Sequence, residues 1–170
     1  MARYTISVNN RSADVDATED TPLLYVLANT LGLKGPRFGC GLAQCGSCSV
    51  LIDGVESRAC VTPISDVRGK SIVTLEGLAA QYARDKKLAQ APDLHPLQQA
   101  FIDEQAPQCG YCYNGMIVKG AELLSRNADP GEADIKREMN GHLCRCGTYP
   151  RIIKAVQRAA RAIRATANKG

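Results

Sequence analysis

The 170-residue chain contains no tryptophan and only two histidines, and aromatic residues make up just 5% of it. No apolar run approaches the roughly 20 residues of a membrane-spanning helix. The N-terminus carries neither a signal peptide nor a twin-arginine motif. We therefore expect synthesis in the cytoplasm and no direct membrane insertion. The protein would be cytoplasmic, or periplasmic or membrane-associated if it is exported with a partner.

Catalytic residues are also missing from the sequence. His95 and His142 are too few and too far apart to form a catalytic site, and no nucleophile-elbow or phosphate-loop motif occurs. The preferred role for His142 is on the surface or in helix capping, with tuning of a nearby metal site as the alternative. We predict no catalytic residue in this chain.

Charge is mild, at a net +4, but part of the basic excess is concentrated near the C-terminus. Steps of three and four residues place these side chains on one helical face: Arg151, Lys154, Arg158, Arg161 and Arg164. The simpler interpretation is a solvated helix face, and the alternative is a docking surface for a partner protein. Nucleic acid is not an expected partner, because no interleaved aromatic set or known binding module is present.

The eight cysteines are the most informative feature of the sequence. Disulfides are not expected, because a chain without an export signal more often uses cysteines for metal or redox chemistry. Cys40, Cys45 and Cys48 follow the C-x4-C-x2-C spacing of a plant-type 2Fe–2S cluster, and Cys60 completes the quartet. Glycines beside these residues would let backbone N–H groups turn towards the thiolates. The first quartet therefore predicts a one-electron redox site.

A second quartet occupies the other half of the chain and has a different spacing: Cys109, Cys112, Cys144 and Cys146. On spacing alone, a C-x2-C pair followed by a C-x-C pair is compatible with zinc as well as with an iron–sulfur cluster. One quartet in each half predicts two small domains, for which bound metal would supply part of the folding stability.

Hydrophobic periodicity predicts an α+β chain. Strands are expected at 4–9, 11–16, 48–52, 55–61 (with Cys60 on the last) and 71–75, and a helix between Pro22 and Gly32. These elements form a domain at 1–76, and 77–94 is a linker that can include a helix at 78–88. Residues 95–170 form an all-α four-helix bundle with helices near 97–102, 114–124, 134–139 and 151–165. Asn114 is expected at or near the N-cap of the second of these helices.

Two segments around the second quartet are similar to known signatures: Gln108-Cys109-Gly110-Tyr111-Cys112 and Leu143-Cys144-Arg145-Cys146-Gly147-Thr148. Together with the first quartet, they resemble the small iron–sulfur subunit of the xanthine oxidase family of molybdenum hydroxylases. The resemblance implies two 2Fe–2S clusters, one in an N-terminal plant-type ferredoxin-like (β-grasp) domain and one in the helical domain. It also implies a large partner subunit that binds molybdopterin, usually as the cytosine dinucleotide in bacteria.

In that family the subunit is non-catalytic and transfers electrons within an oxidoreductase complex. The resemblance implies that electrons pass from molybdenum to the C-terminal cluster, then to the N-terminal cluster, then to an external acceptor. It also implies that Gln108 and the ligand Cys146 lie against the pterin. Separately, we expect Tyr111 and Tyr113 to shield the second cluster or to pack at the interface. The alternative function is a stand-alone two-cluster ferredoxin that serves several redox partners.

One tripeptide departs from the common family pattern. Many members have Thr-Pro-Gly where this chain has Tyr113-Asn114-Gly115. This resembles the branch of nicotinate and isoquinoline dehydrogenases, whose electrons often leave to cytochrome c rather than to a flavin subunit. The expected substrate is an N-heteroaromatic compound or an aldehyde.

Overall fold

A computed structural model describes residues 1–167 of the chain. Its N-terminal part contains a five-stranded mixed sheet with the spatial order β2-β1-β5-β3-β4. The strands are β1 (Ala2–Val8), β2 (Arg11–Ala17), β3 (Ser49–Ile52), β4 (Val55–Arg58) and β5 (Ser71–Val73). Strand β1 pairs in parallel with β5, and the other neighbours are antiparallel.

Both two-residue hairpin turns have the positive φ angles that a type I′ turn requires. Asn9 and Asn10 have φ of 53° and 63°, and Asp53 and Gly54 have 51° and 83°. These turns set the registers of the two hairpins that the sequence predicts.

Six α-helices accompany the sheet within residues 1–167. They are α1 (Leu23–Tyr25), α2 (Leu78–Asp85), α3 (Pro96–Asp103), α4 (Tyr113–Arg126), α5 (Glu132–Glu138) and α6 (Tyr149–Ala167). Helix α1 continues as a π-helical turn at Val26–Thr30, and 3-10 turns lie at Ile64–Val67 and Leu75–Gly77. The α+β class, with a β-grasp sheet followed by a helical domain, is confirmed. Within residues 1–167, no helix combines the length and apolarity needed to cross a membrane.

The sheet is covered on both faces, which joins the two halves of the chain. Successive strand residues point to opposite faces. Val50 and Ile72 accordingly lie in the core shared with α1, whereas Leu51 and Val73 lie in the core of the helical half. Helix α2, within the predicted linker, also contributes to the helical core through buried side chains. The division at 1–76, 77–94 and 95–170 stays a prediction.

The structure refines the local predictions at three places. Strand β4 ends at Arg58, so Cys60 lies in the following turn rather than on the strand. Helix α4 begins at Tyr113 with Cys112 as its cap, so Asn114 is near the N-cap, as one alternative had it, but lies inside the first turn. The sequence also missed the 3-10 turn at Ile64–Val67, because four residues are too few to show a hydrophobic period.

The basic face of α6 is partly neutralised by neighbouring carboxylates. Arg158 pairs with Asp103 at 3.1 Å and with Glu104 at 3.0 Å, and Arg164 contacts Asp129. Exposed pairs of this kind contribute little to stability. Their presence favours the interpretation of this face as a solvated surface.

Candidate metal centres

The first four cysteines come together as two pairs of thiols at one end of the sheet. Cys40 and Cys45 lie on the loop that precedes β3, and their Sγ atoms accept hydrogen bonds from each other's backbone N–H at 3.4 Å. Cys48 directly precedes β3, and its thiol contacts that of Cys60 after β4. The charge of Cys45 also acts on Cys48, so the two pairs are neighbours.

Backbone N–H groups of the loop converge on Cys40 Sγ. Leu42 donates at 3.3 Å and Gln44 at 3.2 Å. The Leu42 N–H makes the largest contribution to lowering the pKa of Cys40 to about 7, so the thiolate is stabilised without a metal. The loop approaches so closely that a Cβ at Gly39 would lie 2.6 Å from Cys45 Sγ.

Burial has the opposite effect on Cys48. Its side chain is 2% exposed, and burial raises the pKa of its thiol to about 12, with the nearby Cys60 as a further cause. A buried thiol of this kind ionises when a cation is bound to it, because metal ligands must be deprotonated.

The second four cysteines also come together, across the loops that precede α4 and α6. The thiols of Cys112 and Cys144 lie close enough to influence each other's ionisation, as do those of Cys109 and Cys146. Burial raises the pKa of Cys112 to about 12. Burial would also raise the pKa of Cys144, but hydrogen bonds, the largest from the Thr148 hydroxyl, lower it to about 7.

The donor sets fit 2Fe–2S clusters. All eight cysteines are free thiols, and each set contains two pairs. A 2Fe–2S cluster takes two thiolates at each of its two irons. Among residues 1–167, no three His, Cys, Asp or Glu side chains converge as a mononuclear metal site would require. A 2Fe–2S cluster would need one pair of thiols for each iron rather than three or four side chains around one ion, and the two pairs of each set would provide this.

The loops that carry the two thiol sets are in direct contact, and we call this contact the loop seam: residues 37–49 and 56–58 on one side, residues 110–115 and 141–143 on the other. Arg58 lies at its centre. The guanidinium donates to Ala43 O at 3.2 Å and to Gly141 O at 3.1 Å, on opposite sides of the seam. It also forms an ion pair with Glu56, and both side chains are largely buried, with 16% and 11% exposed.

Backbone and aromatic contacts extend the loop seam. The N–H of Leu143 donates to Cys45 O at 3.0 Å, and this bond joins residues that are or adjoin cysteines of different sets. Arg37 donates to Gly110 O at 2.6 Å, and its guanidinium lies over the Tyr111 ring, 5.6 Å from the centroid. No local signal in the sequence indicates these contacts, because they join residues more than 70 positions apart.

The surface or capping role preferred for His142 was wrong. His142 is 3% exposed and lies in the loop seam, where its Nε2 is 3.0 Å from Arg58 Nη1. Burial, followed by repulsion from Arg58 and Lys119, lowers the pKa of His142 to about 3, so the side chain is neutral. His95 does cap a helix: its Nδ1 accepts the N–H of Leu97 at 3.0 Å at the start of α3.

Gln108 lines a surface depression, and Cys146 directly precedes another lining residue, Gly147. Gln108 is exposed, Cys146 is partly exposed, and a cavity of about 450 Å³ is lined by Gln108, Gly147, Thr148 and their neighbours. The cavity opens beside the second thiol set and provides room for a group from another protein chain.

Comparisons with known proteins agree with this geometry. The family model of a "2Fe-2S iron-sulfur cluster binding domain" matches residues 13–90, and that of a "[2Fe-2S] binding domain" matches residues 74–157. A nicotinate dehydrogenase subunit of Pseudomonas putida is 49% identical over 156 residues, which cover 92% of this chain and 93% of that protein. The chain belongs to the iron–sulfur subunits of the xanthine oxidase family of molybdenum hydroxylases.

Two further relatives support the same family. The alpha subunit of isoquinoline 1-oxidoreductase from Brevundimonas diminuta is 48% identical, and the match covers 86% of this chain and 89% of that protein. A crystal structure of quinoline 2-oxidoreductase from Pseudomonas putida 86 matches with a TM-score of 0.84 at 33% identity, over 96% of both chains. As a family member, the chain is a non-catalytic electron-transfer subunit with 2Fe–2S clusters, and it acts with a large molybdopterin-binding subunit.

Proposed function

We propose that the two thiol sets hold one 2Fe–2S cluster each and that together they connect a molybdenum site to an external electron acceptor. The first cluster would be bound by Cys40, Cys45, Cys48 and Cys60, and the second by Cys109, Cys112, Cys144 and Cys146. When bound, such clusters accept and release one electron at a time. The observation that carries this proposal is the gathering of all eight thiols into two sets whose loops contact each other along the loop seam.

The chain's own residues prepare both sites for anionic sulfur. N–H groups directed at Cys40 and the Thr148 hydroxyl beside Cys144 stabilise thiolates before any metal binds. Hydrogen bonds to sulfur also raise the reduction potential of an iron–sulfur centre. Arg58 adds a fixed positive charge between the loops, although Glu56 compensates it.

The surface around Gln108 is the proposed contact with the pterin. Gln108 lines the 450 Å³ depression, and the ligand Cys146 directly precedes its lining residue Gly147. The Gln108 amide can both donate and accept a hydrogen bond, as recognition of a pterin edge requires. In this arrangement the second set lies nearest the molybdenum centre, whereas the first set lies nearest the acceptor.

For the substrate, we propose an N-heteroaromatic compound, with an aldehyde as the second candidate. The support is the similarity at 49% and 48% identity to proteins named for nicotinate and isoquinoline. We further propose the cytosine dinucleotide form of molybdopterin and an acceptor of the cytochrome c type; the alternative acceptor is a flavin subunit.

The test is co-expression of the chain with its large subunit, followed by metal analysis and electron paramagnetic resonance. We expect four irons per chain and, after reduction, two distinct 2Fe–2S signals. Anaerobic addition of nicotinate, isoquinoline or an aromatic aldehyde should then identify which class reduces the complex. Two irons with one zinc per chain would overturn the assignment of the second set, and a chain that purifies alone with both clusters would favour the stand-alone ferredoxin.

A further inference from the structure

The first turn of α4 lies directly on the backbone of the segment 46–49 in the first thiol set. The side-chain amide of Asn114 donates to Ser47 O at 2.9 Å and to Ser49 O at 2.8 Å. Asn114 is 1% exposed. Its neighbour Gly115 approaches the same segment so closely that a Cβ there would lie 2.1 Å from Gly46 O. Two consecutive helix residues therefore contact three residues of the segment that leads into β3: Gly46, Ser47 and Ser49.

Each side of this contact is covalently close to a cysteine of a different set. Cys48 lies between the two carbonyls that Asn114 binds, and β3 begins immediately after it at Ser49. Cys112 precedes α4 directly as its cap. A regular element thus begins next to each cysteine, and a movement of the first turn of α4 changes the distance between Cys48 and Cys112.

We propose that Asn114 and Gly115 are positioning residues that set the separation between the two cluster sites, and with it the rate at which an electron passes between them. The proposal rests on the cluster assignment made above. Neither Asn114 nor Gly115 is a cluster ligand, so both would act through the positions of Cys48 and Cys112. Glycine is required at 115 by the backbone of Gly46, and asparagine at 114 supplies two donors from one planar group.

A steric wedge tests the spacing directly. In Gly115→Ala the new Cβ would lie 2.1 Å from Gly46 O, well inside the roughly 3.5 Å of comfortable non-bonded contact. The two backbones must therefore move apart by roughly 1.4 Å, the difference between 3.5 and 2.1 Å. Gly120→Ala is the matched control in the same helix, because its Cβ would meet the tip of the Leu97 side chain at 2.6 Å, away from the loop seam.

The readout is the magnetic splitting between the two reduced clusters in the assembled complex, because dipolar coupling falls with the cube of distance. In Gly115→Ala we expect four irons per chain, a smaller splitting and slower electron transfer between the clusters. Gly120→Ala should change the melting temperature but keep the wild-type splitting. An unchanged splitting in Gly115→Ala, or loss of iron from one set, would overturn the proposal.

Asn114→Ala removes the donors without adding bulk, and it decides the question if Gly115→Ala does not assemble. Ser49 O loses the Asn114 donor, whereas Ser47 O keeps the backbone N–H of Arg37 at 3.0 Å. The loss should disfavour the docked arrangement by roughly 10- to 100-fold. We expect a broadened distribution of splittings with full iron content; a single wild-type splitting would refute the role of Asn114. Fewer than four irons in the wild-type chain would instead reject the cluster assignment itself.

Discussion

The ion pair at the centre of the loop seam allows a quantitative prediction. Replacing Arg58 by Met removes the guanidinium that bridges Ala43 O and Gly141 O and leaves the Glu56 carboxylate buried without its partner. Breaking a buried pair from one side typically costs about 3–5 kcal/mol. The Glu56 carboxylate is largely buried while the loop seam is closed, so this penalty falls on the closed state.

Amide hydrogen exchange at Leu143 measures how often the loop seam opens. The N–H of Leu143 is protected by its bond to Cys45 O across the loop seam. If opening becomes easier by about 3–5 kcal/mol, the opening constant rises by roughly a hundred- to several-thousand-fold. We therefore expect peptides covering residues 141–144 of the iron-loaded chain to exchange much faster in Arg58→Met, while peptides from β1 keep their protection.

Two further variants separate charge from local disruption. Arg11→Met, on the exposed end of β2, removes the same charge and should change stability by no more than about 0.5 kcal/mol. Glu56→Gln with Arg58→Met removes both charges and should restore part of the lost protection. Wild-type exchange at 141–144 in Arg58→Met, or equal acceleration in Arg11→Met, would refute the reasoning.

Two other variants test the proposed electron path, and a third tests the protonation of His95. Cys45→Ser should damage the first cluster and block electron exit, while substrate still reduces the second cluster; the reverse pattern in rapid-mixing spectra would mean that the order of the clusters is reversed. Gln108→Ala should keep all four irons but slow reduction of the clusters by substrate or lower the molybdenum content. The reason is that a lost buried hydrogen bond costs about 1–3 kcal/mol. Unchanged reduction rates with full molybdenum content would show that Gln108 does not contact the pterin. Burial lowers the pKa of His95 to about 4 from about 6.5 in an unfolded chain, so its contribution to stability is present above pH 6.5 and is lost as the pH falls towards 4. Asn at position 95 retains a capping oxygen, and denaturation of His95→Asn between those pH values should show a smaller pH dependence than wild type.

Local signals in the sequence were sufficient for most of the fold. The alternation in 4–9 and 11–16, with two asparagines between them, specified a hairpin because few other residues accept positive φ at both turn positions. Helix α6 was predicted from its apolar period and its start at Pro150. The π-helical turn after α1 was not predicted, because its residues have the same apolar spacing that an α-helix would show.

For the candidate site, the sequence predicted the grouping of the cysteines but not the contacts between the two groups. Spacing was enough to group the cysteines, since ligands of one cluster must be close in space and short loops hold them there. The loop seam was not predictable in the same way. Asn114 beside a helix start looks like a cap in the sequence, and only the fold brings Ser47 and Ser49 within reach of its amide. His142 lies in a loop, and nothing in the sequence near it indicates that the fold buries its side chain against Arg58.

The types of side chain in the loop seam are related to the directions of the backbone N–H and C=O groups in the cysteine-bearing loops. N–H groups that turn towards sulfur leave the carbonyl groups of the same loops directed elsewhere, and buried carbonyls need donors. The loop seam supplies side chains that carry several donors on one planar group: Arg37 on Gly110 O, Arg58 on Ala43 O and Gly141 O, and Asn114 on Ser47 O and Ser49 O. A purely apolar contact in place of Asn114 would leave the buried Ser49 O without that donor, at a cost of about 1–3 kcal/mol, whereas Ser47 O would keep the Arg37 N–H. The demand for sulfur-directed N–H groups therefore also determines which side chains can join the two thiol sets.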